Sequence, residues 1–223
     1  MIDGIRLKVC GLTSLVDADF SDRLGADYLG FNLYPKSPRY VPLSQFTGMA
    51  KRLPEGRRTI AVMVEPSSDE LDAALGAGFS LFQIHFRPEL SEDQLADWSR
   101  RVGPDRLWLA PRLPPAQDVS PAWLTLARTF LLDTFHADGF GGSGRTGDWG
   151  KFARHRQAYP AHHWVLAGGL NPENIGEALE RSGTRWVDVN SGVEVSPGVK
   201  DEVRLQSLID GIRRTAARPG FPS

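Results

Sequence analysis

The chain has 223 residues, of which 41% are hydrophobic and 24% are charged, and it contains one cysteine. This is an ordinary water-soluble composition, and the length suits one α/β barrel domain. A formal net charge of −1 excludes a strong global attraction to nucleic acid. A single cysteine excludes an intramolecular disulfide and a multi-cysteine metal site. With no membrane-length apolar run and no secretory signal pattern, the sequence predicts a cytoplasmic protein.

Short apolar, β-branched runs recur along the chain and are typical of buried strands. We predict strands at Ile5–Cys10, Tyr28–Leu33, Thr59–Val64, Leu81–Phe86, Leu107–Ala110, Thr129–Asp133, His163–Ala167 and Trp186–Val189.

Amphipathic segments with capping residues separate these strands and predict helices. The predicted helices are Ser14–Leu24, Ser44–Leu53, Ser68–Leu75, Ser91–Val102, Trp149–Tyr159, Asn171–Arg181 and Asp201–Thr215. Prolines interrupt the region after the fifth strand, where only a short helix within Pro121–Arg128 is expected.

Strands that alternate with helices predict parallel βαβ units, and eight such units predict a closed (β/α)8 TIM barrel. We therefore expect an α/β fold with one domain over residues 1–223, of which about 213–223 form a frayed tail.

The only cysteine, Cys10, ends the first predicted strand and precedes a glycine in Lys8-Val9-Cys10-Gly11-Leu12. A free cysteine is most often an inert core residue, so the thiol alone does not indicate catalysis. In a TIM barrel, however, residues at the carboxyl ends of the strands form the active site. Asp133, at the end of the sixth strand, has the same position and is either a site carboxylate or a structural ion-pair partner.

Glycine loops follow the seventh and eighth strands, where TIM barrels commonly bind phosphate. The loops contain Gly168-Gly169 and Ser191-Gly192, and backbone amides at glycines can approach an anion closely. The loop after strand six contains Gly139-Phe140-Gly141-Gly142-Ser143-Gly144, which formally matches a dinucleotide-binding pattern. It begins too far beyond the strand and lacks the acidic ribose partner, so we expect a lid or a further wall of the phosphate site.

Taken together in chain order, these motifs closely resemble those of the phosphoribosylanthranilate isomerase family. The resemblance runs from about Ile5 to Ile212. It includes Lys8-Val9-Cys10-Gly11-Leu12, Tyr34-Pro35-Lys36-Ser37-Pro38-Arg39-Tyr40-Val41, Leu132-Asp133, Gly141-Gly142-Ser143-Gly144-Arg145-Thr146-Gly147-Asp148-Trp149, Leu166-Ala167-Gly168-Gly169-Leu170 and Asp188-Val189-Asn190-Ser191-Gly192-Val193-Glu194.

The resemblance implies an Amadori rearrangement of N-(5-phospho-β-D-ribosyl)anthranilate in tryptophan biosynthesis, without a metal or an organic cofactor. It implies Cys10 as general base and Asp133 as general acid. The substrate-binding residues implied are Arg39 for the anthranilate carboxylate, Asp188 for a sugar hydroxyl, His85 as a further contact, and Gly142, Ser143, Gly144, Gly168, Gly169, Ser191 and Gly192 around the phosphate. The expected partner is a small phosphosugar, not nucleic acid or membrane, and the chain is expected to be a monomer or homodimer.

The clearest departure from the family pattern is Phe86, which follows His85 where the family usually has a glycine. We expect this phenylalanine to add bulk near the site. A catalytically silent phosphate-binding barrel and a related histidine-pathway phosphosugar isomerase stay open as alternatives. The second of these uses a pair of aspartates, which a cysteine at the first strand end disfavours.

Overall fold

The computed structural model describes residues 1–53, 56–133 and 148–221. Within these residues, eight parallel strands close into a barrel, with the first strand paired to the last. The strands are β1 Arg6–Val9, β2 Tyr28–Asn32, β3 Thr59–Val64, β4 Leu81–Phe86, β5 Leu107–Pro111, β6 Thr129–Leu132, β7 His163–Leu166 and β8 Trp186–Val189. The predicted TIM barrel is confirmed.

Helices follow most strands in the same part of the chain. They are α1 Leu15–Arg23, α2 Leu43–Ala50, α3 Ser68–Gly76, α4 Glu92–Val102, α5 Trp149–Ala158, α6 Ile175–Ser182 and α7 Glu202–Ala216. The proline-rich region after β5 contains only a 3₁₀ helix, Pro121–Thr125. A second 3₁₀ helix, Ser191–Val193, follows β8 and leads into an antiparallel pair, β9 Glu194–Ser196 and β10 Val199–Lys200.

Successive residues of each strand point alternately into the barrel and out toward the helices, and this alternation produces two separate apolar clusters. The inner cluster includes Cys10, Val62 and Ala167. The outer cluster includes Val9 and Leu166, which are the neighbours of inner-cluster residues in the sequence. Whether a side chain can reach the site at the mouth of the barrel therefore depends on whether its residue is one of the inward-pointing or one of the outward-pointing positions of the strand.

Two of the differences from the expected boundaries have a clear physical cause. The sixth helix begins at Ile175 rather than at Asn171, because Asn171 Oδ1 accepts hydrogen bonds from the backbone amides of Glu173 and Asn174 and forms a separate turn. The tail expected from about residue 213 is helical up to Ala216, because the last turns of α7 bury Ile212 and Thr215.

Among the helices that the structure describes, none is long and apolar enough to span a membrane.

Candidate active site

A cavity opens at the carboxyl ends of the strands and collects residues from β3, β4 and β8 and from the loops after β1, β2, β6, β7 and β8. It is lined by Cys10, Arg39, His85, Asp133, Gly168, Gly169, Asp188, Ser191 and Gly192, together with residues that the sequence had not suggested. All the site residues predicted from the sequence therefore meet in this cavity, except Gly142, Ser143 and Gly144, which lie outside the described residues.

Cys10 is the first residue after β1 and is 6% exposed. Its backbone amide donates to the carbonyl oxygen of Val189 at 2.8 Å, which ties the end of β1 to the end of β8. Burial raises the pKa of the Cys10 thiol, and the opposing charge of Lys8 does not cancel that effect. Burial therefore outweighs the nearby cation, and the net shift of the Cys10 pKa is upward.

The cation is Lys8, which lies two residues before Cys10 and also points into the barrel. Its Nζ is 2.9 Å from Oδ1 of Asp188, and both side chains are buried. Lys8 and Asp188 are direct partners in the register of β1 and β8, so the strand pairing itself brings the ion pair together.

Asp133 is the first residue after β6 and lines the cavity across its mouth from Cys10. Its side chain is exposed, in contrast to the buried thiol. An exposed carboxylate at the rim can meet a ligand on the solvent side, while the thiol meets it from inside the barrel.

Arg39 lies in the loop between β2 and α2, and its guanidinium forms a two-point contact with Glu194. The Nε–Oε1 distance is 2.9 Å and the Nη2–Oε2 distance is 2.6 Å. Lys200 also contacts Glu194, with Nζ 2.7 Å from Oε1. Burial alone would raise the pKa of Glu194, but Arg39 and Lys200 outweigh burial and hold that pKa below its usual value.

The loops after β7 and β8 both require glycine, but for different reasons. Gly168 and Gly169 have φ angles of 91° and 64°, which side-chain-bearing residues rarely adopt. At Gly192 a Cβ atom would lie 2.0 Å from the carbonyl oxygen of Leu170, so the two loops pack closely only because this residue lacks a side chain. Their backbone amides can therefore approach an anion closely, as the sequence suggested.

His85 is the penultimate residue of β4 and points into the cavity. Gln83 Nε2 lies 2.8 Å from His85 Nε2, so the amide of Gln83 and the ring of His85 are within hydrogen-bonding distance. Burial lowers the pKa of His85 to about 4, with a further contribution from the charge of Lys8. His85 is therefore neutral at pH 7.

Phe86 does not add bulk near the site, and the expectation that it would is wrong. The strand alternation turns Phe86 outward, where it is fully buried against Trp98 and Trp123 at ring distances of 6.2 and 5.1 Å. Phe86 contributes to packing between β4 and the helical layer, whereas its neighbour His85 faces the cavity.

The sequence had suggested no role for Lys8, Glu194 or Lys200, which supply most of the buried charge around the site. A usable signal was present in β1, because charged residues are rarely fully buried unless they are paired. A lysine two positions before the cysteine has to share its face of the strand. Among the described residues, no group of three or more His, Cys, Asp or Glu side chains could hold a metal ion.

Comparison with known proteins agrees with this geometry. A family model described as N-(5'-phosphoribosyl)anthranilate (PRA) isomerase matches residues 7–211. The N-(5'-phosphoribosyl)anthranilate isomerase of Aquifex aeolicus is 36% identical over 207 residues, which cover 92% of this chain and 97% of the relative.

Solved structures give the same result. The phosphoribosyl anthranilate isomerase of Thermotoga maritima superposes with a TM-score of 0.81 at 33% identity, covering 94% of this chain and 99% of that one. A phosphoribosyl anthranilate isomerase in complex with reduced 1-(o-carboxyphenylamino)-1-deoxyribulose 5-phosphate superposes with a TM-score of 0.77 at 31% identity, with coverages of 94% and 99%. The chain belongs to the N-(5'-phosphoribosyl)anthranilate isomerase family.

Proposed function

We propose that this chain catalyses the Amadori rearrangement of N-(5-phospho-β-D-ribosyl)anthranilate to 1-(2-carboxyphenylamino)-1-deoxy-D-ribulose 5-phosphate, a step of tryptophan biosynthesis. The observation that carries the proposal is the shared cavity of Cys10 and Asp133, bounded by the glycine loops after β7 and β8. It supports an acid, a base and a phosphate site within reach of one small phosphosugar. Family membership supports the same reaction.

In this reaction Asp133 is the general acid. It donates a proton to the furanose ring oxygen, the bond from that oxygen to C1 breaks, and the nitrogen lone pair forms the C1=N bond of a Schiff base. The position of Asp133 at the exposed rim of the cavity supports this role.

Cys10 is the general base and takes the proton from C2 of the Schiff base. The electron pair of the C–H bond forms a C1=C2 double bond while the π pair of C1=N returns to nitrogen, and the resulting enolamine tautomerises to the ketone. Proton transfer by a positioned side chain accelerates a reaction by a factor of about 10²–10⁴. Each of these two residues is therefore expected to contribute a factor of this size to the rate.

The remaining contacts hold the substrate. Arg39 binds the anthranilate carboxylate, Asp188 faces a sugar hydroxyl, His85 is a neutral contact, and Gly168, Gly169, Ser191 and Gly192 surround the phosphate with Gly142, Ser143 and Gly144. Those of these residues that the structure describes all line the cavity, which supports their roles in substrate binding. The reaction as written requires no metal and no organic cofactor.

The test is conversion of phosphoribosylanthranilate, generated in situ and followed by the loss of its anthranilate-type fluorescence. We expect turnover by the purified chain and none by a Cys10→Ala, Asp133→Asn double variant. Folded protein that fails to convert this substrate would refute the proposal. Turnover of the histidine-pathway aminoaldose alone would favour that related isomerase instead.

The chain is further proposed to act in the cytoplasm as one barrel domain, either as a monomer or as a homodimer. The isomerase of Thermotoga maritima is a dimer, and a solved structure of monomers generated from it is similar to this chain. Size measurement by light scattering across a concentration series distinguishes the two states.

A further inference from the structure

Lys8 is a buried cation in the barrel interior for which the proposed reaction has no assigned role. It is 1% exposed, and its Nζ donates to Asp188 at 2.9 Å. Moving an ammonium group out of water is costly even when it is paired, so its place beside the site calls for a function.

The ammonium of Lys8 lies next to Cys10 as well as next to Asp188. Residues 8 and 10 point to the same side of their strand, and Gly30 of β2 faces the space between them. The position that a Cβ of Gly30 would occupy is 3.1 Å from Lys8 Nζ and 3.2 Å from Cys10 Cα. A single point thus touches both residues, and the absence of a side chain at Gly30 leaves room for the ammonium.

The charges favour a protonated Lys8. Burial alone would lower its pKa, but the carboxylate of Asp188 and the sulfur of Cys10 outweigh burial and raise it. Asp188 therefore keeps the ammonium in place and charged, while a positive charge beside a thiol favours the thiolate.

We propose that Lys8 is a positioning residue for the general base: its ammonium, held by Asp188, compensates the negative charge of the Cys10 thiolate. This inference rests on the proposed function for the role of Cys10. In the proton transfer an S–H bond forms and the C2–H bond breaks. The electron pair of that bond forms C1=C2, and the π pair of C1=N returns to nitrogen. The charge that Lys8 compensates is therefore present before the step and leaves the sulfur during it. Lys8 stays protonated throughout.

Cys10 is the only cysteine of the chain, so the ultraviolet absorbance of a thiolate reports on this residue alone. We compare Asp188→Asn with the double variant Lys8→Met, Asp188→Asn. These two proteins differ only in the ammonium, and the second avoids the buried, unpaired carboxylate that Lys8→Met alone would create. A Cys10→Ser variant gives the baseline for tyrosine ionisation, and Lys8→Gln, Asp188→Asn serves if the methionine variant does not fold.

We expect the double variant to hold at least about tenfold less thiolate at pH 7 than Asp188→Asn, because a cation within reach of a thiol favours its ionised form. Its reaction with iodoacetamide should slow by the same factor. The acidic limb of the kcat/KM profile should move to higher pH in parallel. Coincident absorbance titrations in the two variants would overturn the inference.

The absorbance titration needs no substrate, so it separates this inference from the proposed function. A wild-type chain without isomerase activity, but with the expected difference between the two titrations, would refute the reaction and leave the coupling of Lys8 to Cys10 established.

Discussion

Arg39 and Glu194 form a two-point ion pair that joins the loop after β2 to the segment after β8 on one side of the cavity. The contacts are Nε–Oε1 at 2.9 Å and Nη2–Oε2 at 2.6 Å, and both side chains are largely buried. A guanidinium held at two points is oriented before a ligand arrives, so less conformational freedom is lost on binding.

Replacing Glu194 with glutamine should weaken substrate binding, because Arg39 loses its charged anchor while keeping its own charge. We expect KM to rise by roughly tenfold with little change in kcat, since Glu194 does not touch the reacting atoms. The matched control is Glu177→Gln, which removes one carboxylate of an exposed ion pair with Arg181 on α6. An unchanged KM in folded Glu194→Gln would show that Arg39 needs no anchor.

Cys10→Ala and Asp133→Asn should each reduce kcat by about 10²–10⁴ while the fold is retained, since each removes one proton-transfer group. The measurement is steady-state turnover, with circular dichroism and thermal unfolding to establish the fold. Near-normal turnover in either variant would remove that residue from the mechanism.

Gly192→Ala should disrupt the phosphate site, because the added Cβ would lie 2.0 Å from Leu170 O and force the two loops apart. We expect inhibition by inorganic phosphate to weaken by about tenfold or more and the free energy of unfolding to fall by about 1–3 kcal/mol.

Gly48→Ala is the control for this change. Gly48 is an exposed residue of α2 with nothing within 4 Å of an added Cβ, so alanine there should stabilise the helix by up to about 1 kcal/mol. Equal effects of the two substitutions would show that the loop contact at Gly192 is unimportant.

His85 should make the protein less stable as the pH falls. Its pKa is lowered from 6.5 to about 4 by burial and by Lys8, so between these two values the unfolded chain binds a proton that the folded chain does not. Stability contributed by neutral His85 is complete above pH 6.5 and is lost toward pH 4, with a limiting slope of about 1.4 kcal/mol per pH unit.

The comparison is with His85→Gln, which has no titrating ring. Denaturant unfolding at a series of pH values should give a shallower dependence for the variant through this window. Parallel curves for the two proteins would mean that His85 has an ordinary pKa in the folded state.

Phe86→Ala should cost about 3–5 kcal/mol of the free energy of unfolding, because it removes a fully buried ring between Trp98 and Trp123. At a temperature where the variant is folded, KM and kcat should match those of the wild type, since the ring points away from the cavity. A changed KM at full folding would place Phe86 in the site after all.

The barrel and the positions of its site residues could be predicted because both follow from local patterns. Apolar runs at regular intervals predict parallel strands, and a residue at the carboxyl end of any strand reaches the same mouth. This reasoning placed Cys10 and Asp133 at one mouth of the barrel, although they are 123 positions apart in the chain. The glycines at 168 and 169 were found because glycine is the residue that positive φ angles favour.

The rest depended on long-range pairing or on side-chain direction. The partnership of Lys8 with Asp188 requires the register of β1 against β8, which no local pattern encodes. Phe86 was misjudged because its position next to His85 was taken as closeness to the site, whereas the strand alternation sends the two side chains to opposite faces. The net pKa of Cys10 depends on the balance between burial and charge, which only the packed structure supplies.

The empty space at Gly30 links two positions that are far apart in the chain. A side chain there would come within 3.1 Å of the Lys8 ammonium, so the residue types allowed at position 30 depend on which residue occupies position 8. Homologous sequences should show these two positions varying together: a lineage that acquires alanine or serine at 30 must shorten or discharge the residue at 8, or shift β1 against β2. Because Cys10 Cα lies 3.2 Å from the same point, a change at position 8 alone relieves only part of the crowding, and laboratory evolution from Gly30→Ala should combine such a change with a shift of β1.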